Sequence, residues 1–248
     1  MNTTFLPSHA HQGMLTISGY LRSLNISLVD QPIYRGHASI AWTVECSAFR
    51  NGSAGITSAW DLGQWSQMAR RFVDYGSSNP LRDLVLAQHY GIPTTLLDWT
   101  TNPLIALYFA SESDPSKSDG KVIKMTAIPG QAENLSADEL FEPRQYPLVF
   151  DTSTMNLRST AQDSIMSLHS KGESPFNTHD VFVLPQGEKK AVRAALAMFG
   201  ITAERVYADL GVAASQFRLN LEERATFNRV FEEVVSLQVA SGPVVDPS

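Results

Sequence analysis

The sequence predicts an α+β fold: one compact domain with a central mixed or antiparallel sheet flanked by helices. Apolar residues recur with helical spacing in several segments, and these alternate with short apolar segments of strand length. Pro, Gly and small polar residues separate the segments, and no long linker interrupts them. With 248 residues, 43% hydrophobic and 18% charged, the chain has the composition of an ordinary soluble globular protein.

The domain is expected to span residues 15–240, after a polar lead at 1–14 and before a loose tail at 241–248. Strands are predicted at 33–37, 94–99, 121–128 and 181–185, with 40–44 a candidate partner of the first. Helices are predicted at 15–24, 59–76, 79–91, 103–110, 188–200, 200–210 and 225–238. Residues 50–58 and 111–120 are expected to be loops and 129–147 irregular, while 156–170 fits a strand or a helix. In 59–76, Trp60, Trp65, Met68, Phe72 and Val73 fall broadly on one side.

The boundaries of two helices are marked by their capping residues. Asn79 and Pro80 begin the 79–91 helix, and Gly91 ends it. Thr100, Thr101 or Asn102 can cap the next helix, with Pro103 in its first turn. That helix, PLIALYFA at 103–110, is apolar on nearly every side, so it is expected to be buried.

Composition and motifs exclude several classes of function. The net charge of −6 argues against a domain that holds duplex nucleic acid, although one or two arginines suffice for the phosphates of a small ligand. The single cysteine, Cys46, has no partner, and the N-terminus has no secretory pattern. No apolar run reaches the ~18 residues of a membrane span. A cytoplasmic protein is therefore expected. Phosphate-loop, Rossmann, hydrolase and zinc-protease motifs are missing, and no metal is expected.

Polar residues between the 79–91 and 103–110 helices point to a binding pocket. Asp98 ends an apolar strand and needs a partner, either Arg35 or the donors of the following helix. Thr100 lies where a helix N-terminus favours anions. Gln88 and His89 lie at the end of a helix, where a structural role and a ligand contact both remain open. Tyr90 and Trp99 fit the core or a stacking role.

Three separated segments resemble the FRG family, which is named for a Phe-Arg-Gly motif. Tyr34-Arg35-Gly36 stands at that motif, with Tyr in place of Phe. The segments WTVECSAFR, ending at Arg50, and AQHYGIPTTLLDWTTNPLIALYFASE, at 87–112, match further. Arg158 and Gln162 resemble an Arg-x-x-x-Gln element, and VFVLPQGEKKAVRAALAMFGITAERVYADL follows. The resemblance covers roughly residues 15–220.

A second resemblance, to ADP-ribosyltransferases, concerns the order of the elements. In one class of those enzymes an early strand carries an Arg, a later strand runs into an apolar helix, and a late strand supplies a glutamate. Here no Glu-x-Glu is present, and Gln162 stands at the nominated position, where it cannot act as a carboxylate. The resemblance implies NAD as substrate or ligand, with Arg35 and Gln162 as the catalytic candidates.

Two functions are expected from these patterns. The first is a domain that binds NAD or a related phosphorylated nucleotide, as an ADP-ribosyltransferase or an NAD glycohydrolase with an unidentified macromolecular target. The alternative is a non-catalytic ligand- or protein-binding module, a sensor or accessory factor in phage or stress biology. The candidate ligand-binding residues are Arg35, Arg50, Gln88, His89, Asp98, Thr100 and Arg158. Gly36 is expected to let the ligand approach the backbone.

Overall fold

The structure, a computed structural model, confirms the α+β architecture. It describes residues 8–24, 32–50, 52–72, 79–113, 116–126, 134–153, 155, 157–171, 179–209, 211–215, 217–219, 221–222, 225–226 and 229. The chain forms two compact units, residues 1–202 and 203–248. The sheet lies in the first unit. In the second, α8 (Ala203–Tyr207) is followed by further helical residues at 211–215 and 217–219. The predicted tail at 241–248 lies outside the described residues, as does most of the predicted 225–238 helix.

The first unit contains a six-stranded sheet in the order β4-β5-β2-β1-β3-β6, with every neighbouring pair antiparallel. Its strands are β1 (Pro32–His37), β2 (Leu96–Thr100), β3 (Gly120–Thr126), β4 (Leu148–Asp151), β5 (Ser164–Leu168) and β6 (His179–Leu184). Strands were predicted close to β1, β2, β3 and β6. The predicted end of the third strand, at 127–128, lies outside the described residues.

The helices of the first unit are α1 (Ser8–Ser23), α2 (Ala59–Ala69), α3 (Pro80–His89), α4 (Pro103–Ala110), α5 (Ala137–Phe141), α6 (Leu157–Ala161) and α7 (Lys189–Met198). Asn79 caps α3 through its side chain, and Asn102 caps α4, as the Asn-Pro pairs predict. α4 is largely buried: five of its eight residues are, including Ile105 and Leu107.

The structure corrects three predicted elements and shows the outcome for a fourth that was left open. The expected polar lead is helical from Ser8, because α1 packs along α7. The 129–147 region contains α5, which a capping box between Ser136 and Glu139 begins. In 156–170 both readings occur in succession, as α6 and then β5. Residues 40–44 are not a strand, because Trp42 N–H bonds back to the carbonyl of Ser39 and closes a turn.

The apolar side expected for α2 is buried only in part. Trp65 packs against the core cluster beside α3 and its indole N–H donates to the carbonyl of Asp83 at 2.9 Å, while Val73 lies outside the described residues. Leu62, Ser66 and Ala69 are buried, whereas Trp60 is 71% exposed and Met68 55%. Phe72, in the turn after the helix, is 82% exposed. The prediction was wrong for Trp60, Met68 and Phe72, because α2 packs through Trp65 and through the smaller residues Leu62, Ser66 and Ala69.

Alternation along the strands divides the core between the two faces of the sheet. Leu96 packs with Leu84, Phe150 and Met166 in a cluster on the side of α3. Leu97 and Trp99 pack on the other face with Ile33 and Ile123, beneath the segment that carries Val44, Cys46 and Phe49. The strand order places β1 and β2 in the middle of the sheet. Helices cover one face of the sheet there, and the segment that carries Val44, Cys46 and Phe49 covers the other.

Candidate functional site

The two central strands of the sheet, β1 and β2, share fewer paired residues than any other neighbouring strands. These strands share a single registered pair, Tyr34 with Thr100. β1 and β3 share six registered pairs, and β2 and β5 share five. Beyond Tyr34 and Thr100 the two strands separate, and a cleft begins where their backbone pairing ends.

The cleft has a volume of about 200 Å³, and a smaller recess of about 80 Å³ adjoins it. The polar and charged side chains that line the cleft are Tyr34, Arg35, Asp98, Thr100, Glu112, Arg158 and Gln162, and its aromatic lining includes Trp42, Trp99 and Phe109. The recess is lined by Val85, Gln88, His89, Asp98, Arg158, Ser159, Gln162, Ser164 and Met166. Asp98, Arg158 and Gln162 line both spaces and therefore stand where the two meet.

Arg35 reaches across the separation between the strands. Its Nε donates to Nε2 of His37 at 3.0 Å, and its Nη1 donates to the backbone carbonyl of Asp98 at 2.5 Å. A guanidinium has five N–H groups. Two are used here, so three have no acceptor among the described residues. Burial lowers the pKa of Arg35 and the Asp98 charge raises it, but an arginine stays protonated in a protein.

His37 fixes the orientation of Arg35. Its Nε2 accepts from Arg35, so Nδ1 carries the proton and donates to the carbonyl of Trp42 at 3.3 Å. Burial lowers the pKa of His37 to about 3, and the positive charges of Arg35 and Lys121 lower it further in the same direction. His37 is therefore a neutral acceptor at neutral pH, and it ties the guanidinium to the loop that carries Trp42.

Asp98 is exposed, which corrects the expectation that it is a buried carboxylate in need of Arg35 or of the donors of the following helix. Its Oδ2 accepts from Nε2 of Gln88 at 2.7 Å. Oε1 of Gln88 in turn accepts from Oγ1 of Thr94 at 2.5 Å, and the same hydroxyl accepts from the N–H of Leu96. The threonine hydroxyl proton is thus committed to Gln88, which sets the amide nitrogen toward Asp98.

Thr100 is buried in β2 and is not the helix cap. Its hydroxyl donates to the carbonyl of Gln162 at 2.6 Å and accepts from the N–H of Asn102 at 3.0 Å. Asn102 caps α4 instead, accepting from Leu104. Thr100 therefore fastens the turn after α6 to the end of β2, which brings Gln162 to the cleft.

Arg158 and Gln162 reach the cleft from α6 and the turn that follows it. The turn leads directly into β5, which pairs with β2 residue by residue from Thr100–Ser164 to Leu96–Leu168. Gln162 is 7% exposed. Arg158 is half-buried, so the cleft has arginines on two separate walls, one from β1 and one from α6.

The remaining predicted residues lie at the margin. His89 is exposed and lines only the recess. Arg50 lines neither space and donates to the carbonyl of Glu45 at 3.3 Å, although its charge lowers the pKa of Arg35 and of His37. Tyr90 is 64% exposed and lines neither space. Trp99 lines the cleft, but its indole N–H is bonded to the hydroxyl of Ser167 at 2.8 Å.

Sequence reasoning missed three cleft residues: Trp42, Phe109 and Glu112. Trp42 is 49% exposed and lies in the segment ending at Arg50, while Phe109 and Glu112 end the longest family-like segment. Glu112 stands at the rim with Ala38, and the carbonyls of both accept from Nζ of the buried Lys189, at 3.2 and 2.5 Å. Their position in these segments was the available signal.

Gly36 is needed for packing. A Cβ at this position would lie 1.9 Å from the carbonyl oxygen of Ala106 and 2.7 Å from the nitrogen of Ala110. These atoms belong to the backbone of α4, which cannot yield as a flexible side chain does. The glycine lets α4 lie directly on β1, and Phe109 of α4 lines the cleft.

Among the described residues, no three His, Cys, Asp or Glu side chains are grouped as a metal site would require. None of the described helices has the length and apolar character needed to cross a bilayer.

The sequence was compared with known proteins. Residues 30–119 match the family model described as the FRG domain. The matched region contains β1, β2 and α4, and with them Arg35, Gln88, Asp98 and Thr100. Neither a curated protein nor a solved structure matches the chain, and the resemblance to ADP-ribosyltransferases gains no support from these comparisons. The chain contains an FRG domain, and that domain supplies most walls of the cleft between β1 and β2.

Proposed function

We propose that the cleft binds a phosphorylated nucleotide of the NAD or ADP-ribose type. The observation that carries this proposal is the state of Arg35. The side chain is half-buried, held in place through His37, and has three N–H groups without an acceptor among the described residues. A fixed guanidinium with unused donors suits the bidentate binding of a phosphate oxygen pair.

The other walls suit the same ligand. Arg158 supplies a second cationic group, as a pyrophosphate requires. Trp42 and Phe109 offer aromatic surface on which a base can stack.

A calorimetric titration with NAD and with ADP-ribose tests the proposal. We expect both to bind the full chain, and we expect Arg35→Ala to weaken both. Lys190 is exposed on α7 and lines neither space, so Lys190→Ala removes a positive charge elsewhere and serves as the control. If neither nucleotide binds, or if both variants bind like the parent, the proposal is wrong.

If the domain is an enzyme, the reaction is cleavage of the bond between C1′ of the ribose and the nicotinamide nitrogen. The bonding electrons leave with nicotinamide, and an oxygen of water or of an acceptor bonds to C1′ and loses its proton. A carboxylate stabilises the oxocarbenium-like transition state of such a reaction. Gln162 cannot do so, but Glu112 lines the same cleft. Release of nicotinamide from NAD, lost in Glu112→Gln, is the measurement.

The second candidate function is a binding module without catalysis. The amide of Gln162 favours it, because Gln162 is the residue that the sequence nominates for the glutamate position of ADP-ribosyltransferases, and an amide cannot act as a carboxylate. A sensor or accessory role in phage or stress biology would then follow from ligand occupancy alone. Binding of NAD without release of nicotinamide over long incubation would decide for this function.

A further inference from the structure

Asp98 stands between the cleft and the recess with one carboxylate oxygen in use. Its Oδ2 accepts from Gln88, whereas its Oδ1 has no donor among the described residues. The neighbouring backbone carbonyl of Asp98 is already occupied by Arg35. An exposed carboxylate can accept two or more hydrogen bonds per oxygen, so Oδ1 can receive donors from a bound molecule.

The orientation of this carboxylate is set by groups behind it. The N–H of Leu96 bonds to Thr94, the hydroxyl of Thr94 bonds to Gln88, and the amide of Gln88 bonds to Asp98. Thr94 is fully buried and Gln88 is half-buried. A surface carboxylate that serves only to keep the protein soluble has no need of such a series of bonds. The arrangement holds an acceptor in one position before a ligand arrives.

The neighbours of Asp98 restrict what its ligand can be. Arg35 and Arg158 line the same cleft and attract an anion, whereas a carboxylate repels one. A ligand that satisfies both must carry a negative group and, a few bonds away, neutral hydrogen-bond donors. A phosphorylated pentose has this chemistry, because its phosphate is anionic and its ring hydroxyls are donors.

We propose that Asp98 is the specificity residue for a ribose, accepting hydrogen bonds from its ring hydroxyls while Arg35 holds the attached phosphate. This inference rests on the proposed phosphate site and names the sugar that accompanies the phosphate. Asp98 then selects ribosyl phosphates over other phosphates, and the Thr94–Gln88 pair positions it.

Three probes separate the sugar contact from the phosphate contact: ribose 5-phosphate, tetrahydrofurfuryl phosphate and pyrophosphate. Tetrahydrofurfuryl phosphate has the same ring and phosphate without the ring hydroxyls. A hydrogen bond to a charged group contributes enough that its loss weakens binding by about tenfold or more. We expect the parent protein to prefer ribose 5-phosphate by about that factor, and Asp98→Asn to lose most of the preference while binding pyrophosphate at least as well.

Two further variants complete the experiment. Asp138→Asn changes an exposed carboxylate on α5 that lines neither space and is expected to keep the preference. Arg35→Ala is expected to weaken all three probes. Two results would overturn the role of Asp98 and leave the phosphate site intact. One is equal binding of ribose 5-phosphate and tetrahydrofurfuryl phosphate by the parent protein; the other is a preference for ribose 5-phosphate that survives Asp98→Asn. Failure of every phosphate probe to bind overturns both proposals. A melting temperature for each variant shows that it is folded.

Discussion

The Nε of Arg35 donates a 3.0 Å hydrogen bond to Nε2 of His37, two residues farther along the same strand. Side chains two apart on a strand lie on one face, so this pair is built into β1. The bond requires a neutral histidine, and it requires the proton of the imidazole to be on Nδ1, where it bonds to Trp42. Orientation of the guanidinium therefore depends on a histidine that remains uncharged.

Acid is expected to destabilise the fold through two buried histidines. Burial lowers the pKa of His37 to about 3 and that of His169 to about 4, with the charge of Arg35 acting in the same direction. Both values lie below the ordinary 6.5, so the unfolded chain binds more protons than the folded chain between these limits. Stability is therefore complete above pH 6.5 and falls as the pH decreases toward 3.

The expected loss is about 1.4 kcal/mol per pH unit for each histidine in that window. Urea denaturation at pH 7, 6 and 5 gives the free energy of unfolding at each pH. We expect His37→Gln to show a shallower decrease than the parent. A decrease of unchanged slope in this variant would contradict the assignment.

Arg35→Ala is expected to affect binding more than folding. Removing the guanidinium takes one donor from the buried His37, a cost of about 1 kcal/mol, while the exposed Asp98 keeps its bond to Gln88. Binding of ADP-ribose is expected to weaken by about 1.5–3 kcal/mol. Calorimetry and urea denaturation measure the two effects. A stability loss of about 3–5 kcal/mol would instead show that Asp98 behaves as a stranded buried charge.

Tyr34→Phe is expected to leave stability unchanged or raise it by about 1 kcal/mol. The hydroxyl of Tyr34 is buried and has no hydrogen-bond partner in the described part of the chain, and burial raises its pKa. Removing an unpaired polar atom removes its desolvation cost. The variant also restores the Phe of the Phe-Arg-Gly motif. A drop in melting temperature would reveal a partner for this hydroxyl.

Gly36→Ala is expected to destabilise the protein by about 1–3 kcal/mol or more, because the added Cβ meets the backbone of α4. Gly63 provides the matched control. It lies in α2, is exposed, and a Cβ there meets nothing within 4 Å. Gly63→Ala is expected to stabilise by about 0.5–1 kcal/mol. Thermal denaturation of both variants checks the pair, and equal effects would exclude the packing argument.

The sequence predicted those parts of the fold that are specified locally. Asn102 and Pro103 begin α4, and Gly91 follows α3, because capping depends on neighbours in the chain. Residues 40–44 could not be placed in this way. Their apolar composition fits a strand, but Trp42 turns back toward Ser39 and its carbonyl receives His37. Tertiary hydrogen bonds of this kind can override strand propensity, and the propensity of the residues does not reveal them.

The sequence predicted which residues belong to the candidate site better than it predicted their hydrogen-bond partners. Arg35, Asp98, Thr100 and Gln162 were named as candidate site residues from the sequence, and all four line the cleft. Their partners were not predicted. The carboxylate of Asp98 accepts from Gln88 and not from Arg35. Because β1 and β2 separate after one pair, the guanidinium of Arg35 bonds to the backbone carbonyl of Asp98 instead. Glu112 was overlooked because it lies just past a helix that the sequence marks only as buried.

The single pair between β1 and β2 makes this sheet two ribbons of three strands, β4-β5-β2 and β1-β3-β6, joined at a narrow hinge. At that hinge Nη1 of Arg35 donates to the backbone carbonyl of Asp98. In a continuous sheet, a backbone N–H group of the neighbouring strand would make this bond. A phosphate that binds the three remaining N–H groups leaves this bond in place and further restrains the side chain that makes it. Ligand occupancy and the cohesion of the sheet are thereby coupled through one side chain, and slower amide hydrogen exchange in β1 and β2 of the bound protein would record that coupling.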